Sequence, residues 1–194
     1  MSRLVLASAS PRRRELLSDA GYEFSVIDSP FEEDMTLPLD PRELARVIAE
    51  GKAGATAPLC EPDSVVLAAD TIVVLGKSVL GKPRDAADAT RMLRMLGGAE
   101  HEVITGYAVV DTRSGAMASG VVITRVRFRP ITDAEIAAYI ASGEPMDKAG
   151  AYAIQGGAAA FVESITGPLD NVIGLPLKEV SEALRKFKIT PIDN

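Results

Sequence analysis

The sequence predicts an α/β fold in which a mixed β-sheet is flanked by helices. Stretches with apolar residues at helical spacing alternate along the chain with short apolar runs, the pattern of layered strands and helices. One run, SVVLAADTIVVL (64–75), is apolar on both sides of its centre, as a strand covered on both faces requires. Midway, HEVITGYAVVDTRSGAMASGVVITRVRF reads as a long hairpin turning at Arg113-Ser114-Gly115, which makes the sheet mixed rather than all-parallel. No internal repeat and no long linker rich in Pro, Gly or Ser interrupts the 194 residues. They read as one domain, or at most two small lobes around a central cleft.

The elements follow in order. In LVLASASPRRRELL, Leu4–Leu17, an apolar strand runs into a tight turn and a helix over about 11–20. Ser10 suits the N-cap, and Pro11 suits the first helical position because its missing N–H would be unpaired there anyway. YEFSVID (22–28) alternates like a strand. Asp40-Pro41-Arg42-Glu43 starts a second helix with Leu44, Val47 and Ile48 on its apolar face. That helix reaches the mid-fifties, weakened by Gly51 and Gly54. After the 64–75 strand, Val79 and Leu80 suit a short hairpin. Asp85 opens a helix whose Ala89, Met92, Leu93 and Leu96 form one stripe, closed by Gly97-Gly98. Thr132-Asp133-Ala134-Glu135 is a capping box. A glycine-rich stretch (143–157), a short strand near 159–165 and a last helix over about 176–187 complete the chain.

Composition narrows the function. With 47% hydrophobic and 25% charged residues the chain is of the soluble globular class, long enough to bury roughly 70% of its unfolded surface. A single cysteine, Cys60, excludes an internal disulfide and a cysteine-based zinc site. With His101 the sole histidine, a His/Cys cluster is excluded too, so any metal needs oxygen ligands, which favours magnesium or manganese. No signal peptide and no apolar run of membrane-spanning length is read, so the cytoplasm is expected and a membrane partner is not. The net charge of −6 argues against a general nucleic-acid binder, and 5% aromatics without tryptophan argue against a base-stacking platform.

Against that acidic balance, Arg12, Arg13 and Arg14 crowd a helix N-terminus, where they oppose the macrodipole. Either a bound anion, most naturally phosphate, accounts for them, or they solvate an exposed helix end. GKSVLGK, Gly76–Lys82, imitates a P-loop, but Pro83 follows with neither hydroxyl nor N–H; the P-loop is rejected and Lys82 kept as a phosphate ligand. Asp70 sits mid-strand among apolar residues, and a buried carboxylate needs a partner. It is either an ion-paired or capping group, or a general base or metal ligand facing a cleft. Glu32-Glu33-Asp34 reads most simply as a solvated acidic loop, and Lys52 alone is ordinary. GEPMDKAGAYAIQGG (143–157) reads as a tight loop whose backbone can approach a ligand. His101 is taken as a strand residue with satisfied hydrogen bonds.

Several separated motifs occur in one order over nearly the whole chain: LASASPRRREL, AADTIVVLGKSVLGKPRD, HEVITGYAV, SGEPMDKAGAYAIQG and GLPL. Together they resemble the Maf family of nucleoside triphosphate pyrophosphatases, also named for septum formation. The resemblance implies an elongated mixed sheet flanked by helices, similar to that of inosine triphosphate pyrophosphatases, and commonly a homodimer. It implies hydrolysis of the α–β anhydride of a nucleoside triphosphate with a divalent metal, in a house-cleaning role for the nucleotide pool. Carried over by motif, Asp70 matches the proton acceptor, and Glu33 the acidic position associated with metal and water, so Glu33 and Asp70 are the expected metal ligands. Ser8, Arg12, Arg13, Lys52 and Lys82 match positions of the phosphate site. Arg12, Thr71 and Gln155 match positions of base selection. ADT and DKAGAYAIQG look like the branch that prefers dTTP and UTP rather than the one that prefers 7-methyl-GTP. The chain departs from the pattern at Pro168-Leu169-Asp170-Asn171, where relatives often show an aromatic pair, and in the small-residued GGAAAF. Two rivals stand beside this reading: a nucleotide-binding regulator of septation without turnover, and a phosphatase releasing orthophosphate with Asp70 as nucleophile.

Overall fold

Alternation of side chains along two central strands decides how the sheet is covered. In the computed structural model, which describes residues 3–192, β1 (Arg3–Leu6) pairs in parallel with β3 (Ser64–Leu75), Leu4 opposite Val65 and Leu6 opposite Leu67. Leu4, Leu6, Val65, Leu67 and Ala69 point to one face, where they meet Leu17 of α1 (Pro11–Asp19) and Val180, Ala183 and Leu184 of α6 (Leu177–Lys186). Val5, Val66 and Ala68 point to the other, against Ala49 and Ala53 of α2 (Pro41–Thr56). Both faces are therefore covered, and the strands read as unbroken apolar runs.

The remaining elements are β2 (Ser25–Val26), β4 (Ser78–Leu80), α3 (Ala86–Leu96), β5 (Glu100–Asp111), β6 (Met117–Phe128), α4 (Asp133–Ala141), β7 (Val162–Thr166) and α5 (Leu169–Ile173). Seven strands form one sheet in the order β2-β1-β3-β5-β6-β7, with β4 paired to β3. β1 pairs in parallel with β2 and β3, while β4 on β3 and β7 on β6 are antiparallel. The sheet is mixed and helix-flanked, as the hairpin predicts.

The chain divides into two units. The first holds the segment ending at Asp70, Thr105–Val122 and the segment from Gly174; the second holds Thr71–Ile104 and Ile123–Ile173. In the first, α2 lies so close to β5 that a Cβ on Gly106 would stand 2.2 Å from the Ala45 carbonyl oxygen, so only glycine lets the helix seat there. In the second, Leu80, Met92, Leu93, Leu96, Ile136 and Tyr139 surround a ring cluster. Phe128 meets His101 and Tyr152 edge-on, with centroids 5.0 and 4.9 Å apart.

Several local expectations are corrected. Ser10 stands at the α1 N-cap but its side chain makes no capping bond, because the chain closes this turn through Ser8 instead. Of YEFSVID only Ser25 and Val26 pair as strand. His101 is buried on β5 and its Nε2 lies 2.8 Å from the Tyr152 hydroxyl, but Nδ1 has no hydrogen-bond partner among the described residues; burial pushes its pKa down to about 4. The unusual 168–171 segment contributes to a short helix, α5, that the sequence did not announce. Among the described residues no helix is long and apolar enough to cross a membrane.

Candidate active site

Just past β1, the Ala7 N–H donates to the Leu67 carbonyl of β3 at 2.8 Å, and the chain then turns into α1. Ser8 Oγ organises that turn, accepting the Ser10 N–H and Arg13 Nη1, each at 3.2 Å. Arg13 Nε donates to the Gly174 carbonyl at 2.8 Å. Arg14 is exposed and folds back to donate to the Ala9 carbonyl at 3.0 Å. Arg12 is half-buried, with no hydrogen bond or ion pair found among the described residues. The first turn of α1 holds no acidic residue, so the positive end of its macrodipole and the Arg12 guanidinium add at this end of the helix.

Asp70 finds its partner on α2. Lys52 Nζ lies 2.7 Å from Asp70 Oδ1 and 2.6 Å from Glu33 Oε1. Lys52 and Asp70 are 9% and 6% exposed, so the ammonium and one carboxylate meet largely out of water, while Glu33 reaches the same ammonium from the exposed side. The Glu33 loop is pinned against the same helix. Ser29 Oγ donates to the Lys52 carbonyl at 3.1 Å and accepts the Phe31 N–H at 3.3 Å. A Cβ on Gly51 would lie 2.3 Å from the Phe31 ring, so the ring rests directly on the bare helix beside Lys52. The acidic run thus divides its labour: Glu33 pairs with Lys52, while Asp34 accepts the Thr36 N–H at 2.8 Å and closes the next turn. Arg13 belongs to the same electrostatic group. Burial lowers its pKa, the Asp70 and Glu33 carboxylates oppose that, and Arg12 adds to it.

The first unit therefore brings together Ser8, Arg12, Arg13, Glu33, Lys52 and Asp70. The other three expected residues belong to the second unit. Thr71 follows Asp70 along β3 and is half-buried, while Lys82 and Gln155 are exposed. Lys82 stands one residue beyond Gly81, whose carbonyl accepts the Gly150 N–H at 3.0 Å, tying its turn to the glycine-rich loop that bears Gln155.

Among the described residues no three His, Cys, Asp or Glu side chains converge as a metal cage. The site offers two carboxylates, Glu33 and Asp70. Magnesium commonly takes one or two carboxylates and completes its shell from substrate phosphates and water. The donor set fits a hard cation held jointly with a polyphosphate.

Lys52, which bridges the cluster, is ordinary in its own sequence context and is placed at the phosphate site only by the family resemblance; the Gly174 carbonyl that anchors Arg13 has no signal in the sequence. One signal was available beside Lys52: Gly51 inside a helix costs stability unless something packs on it.

A family model described as Maf-like protein matches residues 3–187. The chain is 55% identical over 185 residues to a dTTP/UTP pyrophosphatase of Geobacter sulfurreducens, covering 95% of this chain and 96% of that one. It is 53% identical over 184 residues to the dTTP/UTP pyrophosphatase of Geobacter metallireducens, with 95% of each covered. A third, from Pelotomaculum thermopropionicum, is 47% identical over 187 residues, 96% of this chain and 97% of that one. By shape, a nucleoside-triphosphatase / dITP/XTP pyrophosphatase of Mycobacterium abscessus aligns at TM-score 0.38 and 15% identity over 66% of this chain and 75% of that one, too slight a likeness to bear on fold or activity. This chain belongs to the Maf-like family.

Proposed function

We propose that this protein hydrolyses the α–β phosphoanhydride of dTTP and UTP to the nucleoside monophosphate and pyrophosphate. The relatives at 47–55% identity carry that name over nearly their whole length. The observation that carries the chemistry is the buried Lys52 ammonium between Asp70 and Glu33, with the arginine-bearing start of α1 in the same electrostatic group.

Each group has a task that its chemistry suits. Arg12, at the positive end of α1, binds phosphate oxygens by charge-assisted bonds. Ser8 and Arg13 hold the turn that presents it, and Arg13 and Lys52 balance the charge gathering on the departing pyrophosphate. Asp70 accepts the proton of the attacking water as its oxygen bonds to the α-phosphorus and the bond to the bridging oxygen breaks. Glu33 and Asp70 would hold magnesium or manganese, which when bound neutralises phosphate charge and polarises the phosphoryl group. The family resemblance adds Lys82 to the phosphate ligands, and Thr71 and Gln155 to base selection. Gln155 offers a pyrimidine edge both a donor and an acceptor. A cytoplasmic homodimer acting in nucleotide house-cleaning, without nucleic-acid or membrane partners, completes the proposal.

The test is a product assay with magnesium or manganese over dTTP, UTP, 7-methyl-GTP and ITP. Pyrophosphate released mainly from dTTP and UTP is the expected result. Pyrophosphate mainly from 7-methyl-GTP overturns the base preference and turns attention to the 168–171 segment. Orthophosphate as first product replaces the reaction with a phosphatase's, and binding without turnover replaces it with a regulator's.

A further inference from the structure

The loop that bears Gln155 is closed by two side chains to which nothing so far assigns a part in the reaction. Tyr139, on the last turns of α4, is 6% exposed, and its ring packs edge-on against Phe161 with centroids 5.4 Å apart. Its hydroxyl accepts the Ala153 N–H at 3.0 Å and donates to Glu144 Oε1 at 2.8 Å. The other oxygen of that carboxylate, Glu144 Oε2, accepts the Gly157 N–H at 3.1 Å. One hydroxyl and one carboxylate thus hold the backbone two residues before Gln155 and two residues after it. The fit is close: a Cβ on Gly156 would lie 2.0 Å from Glu144 Oε1, and one on Gly157 would lie 3.1 Å from the Tyr139 ring. A side chain at position 156 would displace the Glu144 carboxylate from the clasp, and one at 157 would press on the Tyr139 ring.

A five-residue span fixed at both ends has few ways to place its middle side chain. Gln155 itself is exposed, so packing does not fix it; the clasp holds the backbone on either side of it. A loop held by two N–H bonds to buried or half-buried acceptors also gives up less freedom when a ligand binds, which is how preorganisation raises affinity. A carboxylate that accepts both a phenol and an amide is a charge-assisted arrangement, stronger than neutral pairs and directional.

The geometry points to Tyr139 and Glu144 as positioning residues for base recognition, acting through Gln155. This rests on the proposed reading of Gln155 as the residue that meets the pyrimidine edge. Neither residue touches the phosphates in this account, so their loss falls on the base-dependent part of binding and leaves the chemical step alone.

The experiment is a double-mutant cycle of Tyr139→Phe with Gln155→Ala, with Glu144→Gln as a gentler second variant. KM and kcat for dTTP and for ITP are measured, together with melting temperature. Tyr139→Phe keeps the ring and its packing and removes both hydroxyl bonds. It is expected to raise KM for dTTP about tenfold with kcat within about twofold, the scale of losing one or two hydrogen bonds. KM for ITP should move far less. Gln155→Ala should do the same, and the double variant should be no worse than Gln155→Ala alone, because the two losses act through one contact. Glu144→Gln, which still accepts from Tyr139, should fall between wild type and Tyr139→Phe. Losses in Tyr139→Phe that are equal for both nucleotides, or additive with Gln155→Ala, would reduce the clasp to a stabilising feature and overturn the proposal. A Gln155→Ala variant with unchanged selectivity overturns the reading of Gln155, and the proposal with it, so the two failures are told apart.

Discussion

Asp70 is the residue on which the proposed chemistry turns, and its sequence context alone left it divided between ion pair and base. The structure shows the ion pair, with Lys52 Nζ at 2.7 Å, and an ion pair is compatible with the proposed role as base. A carboxylate buried to 6% exposure needs a counter-charge whatever else it does. Asp70→Asn keeps the volume and an acceptor oxygen for Lys52 while removing the basic site. Turnover of dTTP in that variant should fall by at least about a hundredfold, the usual contribution of a positioned base. Steady-state kinetics on folded protein check this, and near-normal turnover would take Asp70 out of the role. Lys52 shows why a lone residue is hard to read. It looks ordinary on a helix, and its importance lies wholly in reaching residues 19 and 18 positions away in the chain, Glu33 and Asp70.

At the scale of elements, helix α2 was largely legible. Asp40 caps α2 by accepting the Arg42 N–H at 2.9 Å, and the helix runs over Pro41–Thr56 as its periodicity requires. The strand at 64–75, the Asp85 cap of α3 and the Thr132–Glu135 capping box of α4 were legible for the same reason: each is a local rule of pattern or hydrogen bonding. Contacts made by the loops were not, because they depend on tertiary neighbours. Gly51 and Gly54, both read as weak points of α2, separate clearly in the structure. A Cβ at Gly54 would meet nothing within 4 Å, whereas at Gly51 it would strike Phe31. Gly54→Ala should stabilise by about 0.5–1 kcal/mol with activity unchanged, through helix propensity alone. Gly51→Ala gains the same propensity but expels Phe31 and loosens Glu33 from Lys52, so activity should fall more than about tenfold with little loss of melting temperature. Thermal unfolding paired with dTTP turnover checks both, and equal activities would show that the Phe31 seat does not matter to the site.

At the scale of the whole molecule, the mixed sheet follows from the order of its segments, with β1 and β3 parallel and the later strands returning antiparallel. Its strand neighbours could not be read from spacing, since nothing local says that β3 lies between β1 and β5. The family could be read, because motifs far apart in the chain kept one order. What they did not disclose is which side chains the fold turns into clamps: Arg13 on the Gly174 carbonyl, and Tyr139 and Glu144 on the Gln155 loop. The central claim of the account is that water attacks the α-phosphorus, with Asp70 taking the proton. It is tested most directly by hydrolysing dTTP in water enriched in oxygen-18 and locating the label by mass spectrometry. One labelled oxygen in dTMP and none in pyrophosphate is the predicted result. Label in pyrophosphate, or orthophosphate as the labelled product, would place the attack on another phosphorus and contradict the account.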